Sequence, residues 1–374
     1  MIIHNCRLCS LDWALAVVLT GGAAFSEPAS IESAILEANR LVQSHSIDRA
    51  ESTLRFALRR AQRDGIQDHR KAAILSNLGY VCRRLGELDE ARALTGAAAE
   101  LYEELDMPAG QATALANLGA IEEDSGRLLD AERSYLQSIR ILERSQGPEA
   151  KSLAGPLNNL AALYLAQRKF TRAERCFTRS LAIQKADPGA EDASIARALN
   201  NLGRLRQALR EYKIAGTLYR EALAILDNSV EPEPELRAAV LHSMATLEAE
   251  TNRLGRAEVL AREALDIWRG VRGEDHPAFA SGLVTLGVVY YRAGRTRDAE
   301  PLLKRAFEIY AKAYGPDHPQ AARILAGYSV VLRKLDRKKE AKQARKRARA
   351  ILASHHDENL LDETIHVSDL AFQP

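Results

Sequence analysis

Few side chains in this sequence are grouped in a way that could do covalent chemistry. Nine histidines are scattered along it, mostly in connectors and near the C-terminal end. The sequence contains no glycine-rich phosphate loop, no H-E-x-x-H and no G-x-S-x-G. Cys6 and Cys9 form C-R-L-C, but redox use of that spacing needs a strand–helix context that the neighbouring residues do not supply. Asp275-His276 and Asp317-His318 put a single histidine in each of two connectors, which gives no cluster of metal ligands. Carboxylates elsewhere stand three or four residues from arginines, the spacing of ion pairs on solvated helix faces. The expectation is therefore a non-enzyme, with no catalytic residue, no metal, no cofactor and no small-molecule substrate.

What does recur is an amide. Asn77, Asn117, Asn159 and Asn201 stand at equivalent places about forty residues apart, followed by Ser243 and Thr285. Leu36 and Gly327 hold the place at the two ends of the series. Asparagine is mildly unfavourable inside a helix, so four in register call for an account. The amide carries two donors and an acceptor, enough to pair with the N–H and C=O groups of an extended peptide. The alternative is that each amide bonds to a neighbouring helix and ties the units together.

The elements that hold this row come from a repeat. One alanine marks each unit: Ala50, Ala91, Ala131, Ala173, Ala215, Ala257, Ala299 and Ala341, with spacings of 41, 40 and thereafter 42. That defines about eight units over residues 31–354. Leu157, Leu160, Ala161 and Tyr164 form one apolar stripe at helical spacing, and Ala173, Phe177 and Ser180 form a second. The short polar stretch 167–171 between them predicts a turn, and Gly86, Gly126 and Gly294 stand at that turn in other units. Glycine there ends a helix by taking a left-handed conformation cheaply. A small residue recurs inside each first helix: Ala38, Gly79, Gly119, Ala161, Gly203, Ala245, Gly287, Ser329. Glycine inside a helix costs about 1 kcal/mol relative to alanine. The repeated cost implies close approach of the paired helix, with the marker alanine expected as the other half of the contact. Pro277 and Pro319 suit a first helical position, and Pro301 is expected in the first turn of its helix. Pro232 and Pro234, in an acidic connector, suggest a mild break between halves.

This pattern of Leu, Gly/Ala and Tyr followed by Ala, Tyr/Phe and Ala resembles tetratricopeptide repeats. NNLA (158–161), AEPLLKRAFEIY (299–310), GEDHP (273–277) and GPDHP (315–319) resemble more closely the 42-residue repeats of kinesin light chains. The resemblance implies an all-α fold, a right-handed superhelical solenoid of about eight antiparallel helix pairs whose first helices line a concave groove. It further implies that the asparagine row faces that groove and pairs with peptide backbone. Arg197 and Arg204 are groove candidates with the row, as are Arg292, Arg323, Asp124 and Glu250, flanked by Asn158, Asn200 and His242. These charges are mixed, so the family's taste for acidic peptides is not inherited. The function expected is a non-catalytic protein–protein interaction scaffold that binds a peptide or protein segment in its groove. The alternative is a self-assembling structural solenoid that stacks end to end.

Charge bears on that alternative. The net formal charge is only +2, but residues 27–150 carry six more acids than bases and residues 151–374 eight more bases than acids. Residues 333–350 hold ten Lys or Arg against two acids, in keeping with a terminal unit that needs a polar outer face. That stretch lacks the interleaved aromatics of a nucleic-acid surface, so nucleic acid is not the expected partner. Residues 355–374 read as an acidic, flexible tail, a candidate to fold back on that helix or into the groove. Residues 1–26, with Arg7, an apolar run from Trp13 to Leu19 and small residues at 24 and 26, read as a signal peptide. The expected location is then periplasmic or secreted. An uncleaved anchor, the one membrane association foreseen, or a misassigned start with a cytoplasmic protein are the alternatives. Cys82 and Cys176 fall on apolar stripes and read as buried free thiols.

Overall fold

The computed structural model describes residues 30–44, 46–187, 191–230 and 232–354. The proposed signal (1–26) and tail (355–374) lie outside them. The described residues form sixteen α-helices, with one short 3-10 turn at Lys151–Leu153. In order they are α1 (Ile31–Gln43), α2 (Ile47–Arg63), α3 (His69–Leu85), α4 (Leu88–Glu104), α5 (Pro108–Asp124), α6 (Leu128–Gln146), α7 (Ala154–Ala166), α8 (Phe170–Ala186), α9 (Asp192–Ala208), α10 (Tyr212–Asn228), α11 (Pro234–Glu250), α12 (Leu254–Arg272), α13 (Pro277–Arg292), α14 (Thr296–Tyr314), α15 (Pro319–Lys334) and α16 (Lys338–Ser354). The fold is all-α, with odd-numbered first helices and even-numbered second helices, as the repeat predicts.

Two compact units divide the described residues at Leu163/Tyr164, inside α7. In the N-terminal unit, α1 pairs with α2, α3 with α4 and α5 with α6, and α2 packs on α3 and α4 on α5. Ile31, Leu54, Ile74, Leu78 and Ile121 share one core there. In the C-terminal unit the same scheme runs from α8 to α16. Leu199, Tyr219, Val240 and Leu247 form one of its cores, and Trp268, Phe279, Leu303 and Tyr310 belong to another. The proline connector at 232–234 does not break the core. Ala215, Tyr219 and Ala222 of α10 pack with Leu236, Val240 and Met244 of α11 straight across it.

The turn inside the hairpins from α3–α4 to α15–α16 takes one conformation whatever residue occupies it. Gly86, Gly126 and Gly294 have φ of 84°, 76° and 79°, as expected of glycine. Arg168, Arg210, Asn252 and Asp336 stand at the same place and take φ of 56°, 61°, 62° and 62°. The packing of the two helices imposes the left-handed residue, and the local sequence only eases it.

Two expectations need correction. The marker alanines are buried, with Ala91, Ala131, Ala215 and Ala299 all at 0% exposure, but they are not the main partners of the small residues. A Cβ at Gly119 would lie 2.8 Å from the Tyr135 ring, one at Gly203 2.5 Å from Tyr219 and one at Gly287 3.1 Å from Leu303. The wedge is the residue one helical turn beyond the alanine, whose side chain points back along its helix into the crossing. Pro301 lies in the second turn of α14, because that helix begins at Thr296, directly after Gly294 and Arg295.

The connectors position the next first helices. The imidazole Nδ1 of His276 accepts from the Ala278 N–H at 3.1 Å, and that of His318 from the Gln320 N–H at 3.2 Å. Each histidine thus caps a helix that Pro277 or Pro319 begins. Asp275 pairs with Arg305 at 2.6 Å and Lys312 at 2.7 Å. No helix among the described residues is long and apolar enough to cross a membrane.

Candidate functional site

Adjacent first helices touch within each unit: α1 with α3 and α3 with α5, then α9 with α11 and α11 with α13. Two members of the amide row, Asn77 and Thr285, bond across these meetings. Asn77 is half-buried, and its amide donates to Asn39 Oδ1 of α1 at 3.1 Å. Asn117 is 7% exposed, and its Oδ1 has no hydrogen-bond partner among the described residues. Asn159 and Asn201 are buried. The Ser243 hydroxyl donates to the Ala239 carbonyl of its own helix at 3.0 Å. Thr285 is fully buried, 3.5 Å from His242 Nδ1 on the preceding first helix. Asn117, Asn159, Asn201, Ser243 and Thr285 are thus buried, and Asn77 and Thr285 reach across to the preceding first helix.

More open positions flank it in the C-terminal unit. Arg197 and Arg204 of α9, His242 and Glu250 of α11 and Arg292 of α13 are all half-buried. The Arg197 Nε is buried without a partner among the described residues. Burial, with the nearby Arg204 guanidinium adding to it, pushes His242 down to about 4. Its imidazole is therefore neutral at pH 7, and its ring lies 5.5 Å from that of Trp268. Burial pushes the Glu250 carboxyl up to about 7, held back by hydrogen bonds from Gln207 and Tyr212 and by the charges of Arg210 and Arg292. Arg292 itself donates to the Ala249 carbonyl at 2.7 Å. Arg323 of α15 is buried.

Gln207 ties Glu250 to Tyr219 and Thr246 and was not marked out by the sequence. It accepts from the Tyr219 hydroxyl at 2.8 Å and donates to Thr246 at 3.2 Å and Glu250 at 3.1 Å. A signal was present: Gln207 stands where Ala249 stands one unit later, and a polar residue on a buried stripe needs partners. In the N-terminal unit, Asp124 is engaged by Arg83 of α3 at 2.5 Å, with both side chains nearly buried. That pair closes the position, so Asp124 serves as a tie between α3 and α5.

Cys82, Glu87 and Glu90 approach one another, but Arg55 binds both Glu90 oxygens, at 2.7 and 2.9 Å. Burial pushes the Cys82 thiol up to about 12 and that of Cys176 to about 11, so neither supplies a thiolate near neutral pH. What the first-helix face offers is a mixed set of donors and acceptors held at fixed places by packed helices.

The comparisons with known proteins agree with this architecture. Among solved structures, a Rap protein complexed with competence and sporulation factor is 12% identical, covers 90% of each chain and has a TM-score of 0.64. A tetratricopeptide repeat protein from Parabacteroides merdae is 18% identical, with a TM-score of 0.50, covering 75% of this chain and 93% of the other. Kinesin light chain-type repeats from Podosopora anserina are 21% identical, with a TM-score of 0.42, covering 55% of this chain and 96% of the other. No curated protein matches the sequence. The tetratricopeptide repeat model matches residues 70–144, 110–186, 152–228, 236–312 and 278–354. With well over half of its length matched, and with the paired helices and small-residue crossings described above, the chain belongs to the tetratricopeptide repeat family.

Proposed function

We propose that the chain is a non-catalytic scaffold that holds an extended peptide or protein segment in a groove lined by its first helices. The repeat fold is that of a protein-interaction scaffold in general. The finer reading is carried by one observation. The first-helix face of the C-terminal unit presents Arg197, Arg204, His242, Glu250 and Arg292 half-buried, with the Arg197 Nε lacking a partner among the described residues. A buried donor left unpaired is costly, and a ligand carbonyl or carboxylate would satisfy it. The mixed charges favour a segment with polar groups of both signs over a uniformly acidic one.

The test is binding of the full chain to an arrayed library of extended peptides, by fluorescence anisotropy for each hit. Replacing Arg197 and Arg204 together by alanine should weaken binding by about tenfold or more, as expected for lost charge-assisted hydrogen bonds. Equal binding by the variant would place the ligand elsewhere. Export is a separate proposal, resting on residues 1–26; N-terminal sequencing of the protein from its native cell would show whether cleavage follows Ser26.

A further inference from the structure

The last hairpin departs from the others at the crossing that defines them. Ser329 and Arg345 occupy the places that Gly287 and Leu303 occupy one unit earlier. Leu303 is fully buried, whereas Arg345 is exposed. A cleft of about 470 Å³ opens between α15 and α16 instead. Its floor includes Ala326, Val330 and Ala341, and its walls carry Arg333, Lys338, Lys342, Arg345, Lys346 and Arg349. No carboxylate lines it. Among the described residues no ion pair engages Lys342, Arg345, Lys346 or Arg349.

The equivalent surface one unit earlier is covered. There α15 lies on α14, with Tyr328 bonded to Glu300 at 2.6 Å and Phe307 packed against Ala322, Leu325 and Ala326. Lys342 and Arg349 stand 42 residues after Glu300 and Phe307. The cleft is therefore the seat of a first helix, rewritten in cations.

The sequence beyond α16 carries a matching segment. Residues 355–374 lie outside the described residues and hold five carboxylates, Asp357, Glu358, Asp362, Glu363 and Asp369, with no Lys or Arg. Advancing Leu325, Tyr328 and Ser329 by one unit of 42 lands on Val367, Leu370 and Ala371. These are the apolar, apolar and small residues of a first-helix stripe, in register. We propose that residues 355–374 occupy this cleft as an acidic ninth first helix, held by the cations of α16 and released by salt. Opposite charge, register and direct continuity with α16 select this occupant over a second copy or an anionic polymer.

The experiment uses the full chain. Carbodiimide treatment at low salt should join Lys342 or Lys346 to Asp362, Glu363 or Asp369 within one molecule. Amide exchange over residues 364–371 should be slowed at least about tenfold relative to the isolated 355–374 peptide. Both signals should vanish in Lys342→Glu/Arg345→Glu/Lys346→Glu and return when Asp362→Lys and Glu363→Lys are added. Exchange as fast as in the free peptide at low salt would overturn the proposal. So would crosslinks found only between molecules in a mixture of isotope-labelled and unlabelled protein, which would assign the cleft to a second copy. Binding of a single-stranded DNA 20-mer equally well to the full chain and to a chain cut after Ser354 would also overturn it, because the cleft would then be open.

Discussion

The Gln207 side chain of α9 donates to the Glu250 carboxylate of α11 at 3.1 Å, while the Tyr219 hydroxyl of α10 fills its acceptor at 2.8 Å. Three helices are joined through one amide, and the carboxylate at its end is pushed up to about 7 by burial. The folded state therefore holds a proton at Glu250 over a range where the unfolded chain, near the ordinary value of 4.5, has lost it. A raised carboxyl gives stability that is fully present below the unfolded value and is lost as pH climbs through the folded one.

Glu250→Gln fixes the neutral form. Its stability relative to the parent should rise by about 3 kcal/mol between pH 4.5 and pH 8. Urea denaturation of both proteins at several pH values measures the difference, and a difference constant with pH would show that Glu250 ionises normally.

Gly203→Ala tests the wedge. The new methyl would sit 2.5 Å from the Tyr219 ring. Overpacking costs about 1–3 kcal/mol, against about 1 kcal/mol gained in helix propensity. A net loss of about 1–2 kcal/mol is expected, together with changed near-ultraviolet circular dichroism as the tyrosine moves. A stabilised variant would mean that the crossing is slack.

Arg168→Gly tests the turn. Arg168 is exposed and holds φ at 56° between α7 and α8. The left-handed region costs a non-glycine residue roughly 1–2 kcal/mol, part of which glycine returns as unfolded-state entropy. A gain of about 0.5–1 kcal/mol in thermal or chemical unfolding is expected.

His276→Ala removes a cap whose Nδ1 accepts from the Ala278 N–H at 3.1 Å. The loss should be about 1 kcal/mol, and His276→Asn, which keeps an acceptor on a short side chain, should restore most of it. Equal losses in both variants would assign the effect to packing of the ring.

The hairpins were legible in the sequence because periodicity reports burial directly. The marker alanines, the stripe of Leu157, Leu160 and Ala161, and the turn glycines each follow from a single helix's own geometry. The partner of each small residue was harder to read, since it depends on which way a side chain leans across a crossing. That is why Tyr135 and Tyr219, not Ala131 and Ala215, fill the space over Gly119 and Gly203. The site was less legible still. Asn117 and Asn201 could be placed on a helix face but not at a depth, and burial set their availability. Asp124 looked open until Arg83, 41 residues away, closed it.

The wedges are matched in pairs: Thr95 over Gly79, Tyr135 over Gly119, Tyr219 over Gly203, Leu303 over Gly287. Each bare patch of backbone is cut to its own plug, and both halves lie on the same hairpin. The cassette that can be shuffled, duplicated or grafted is then the hairpin entire. Transplanting α9 alone in place of α13 would bring the socket for a tyrosine ring against a leucine and leave a hole, whereas moving α9 with α10 would carry the plug along.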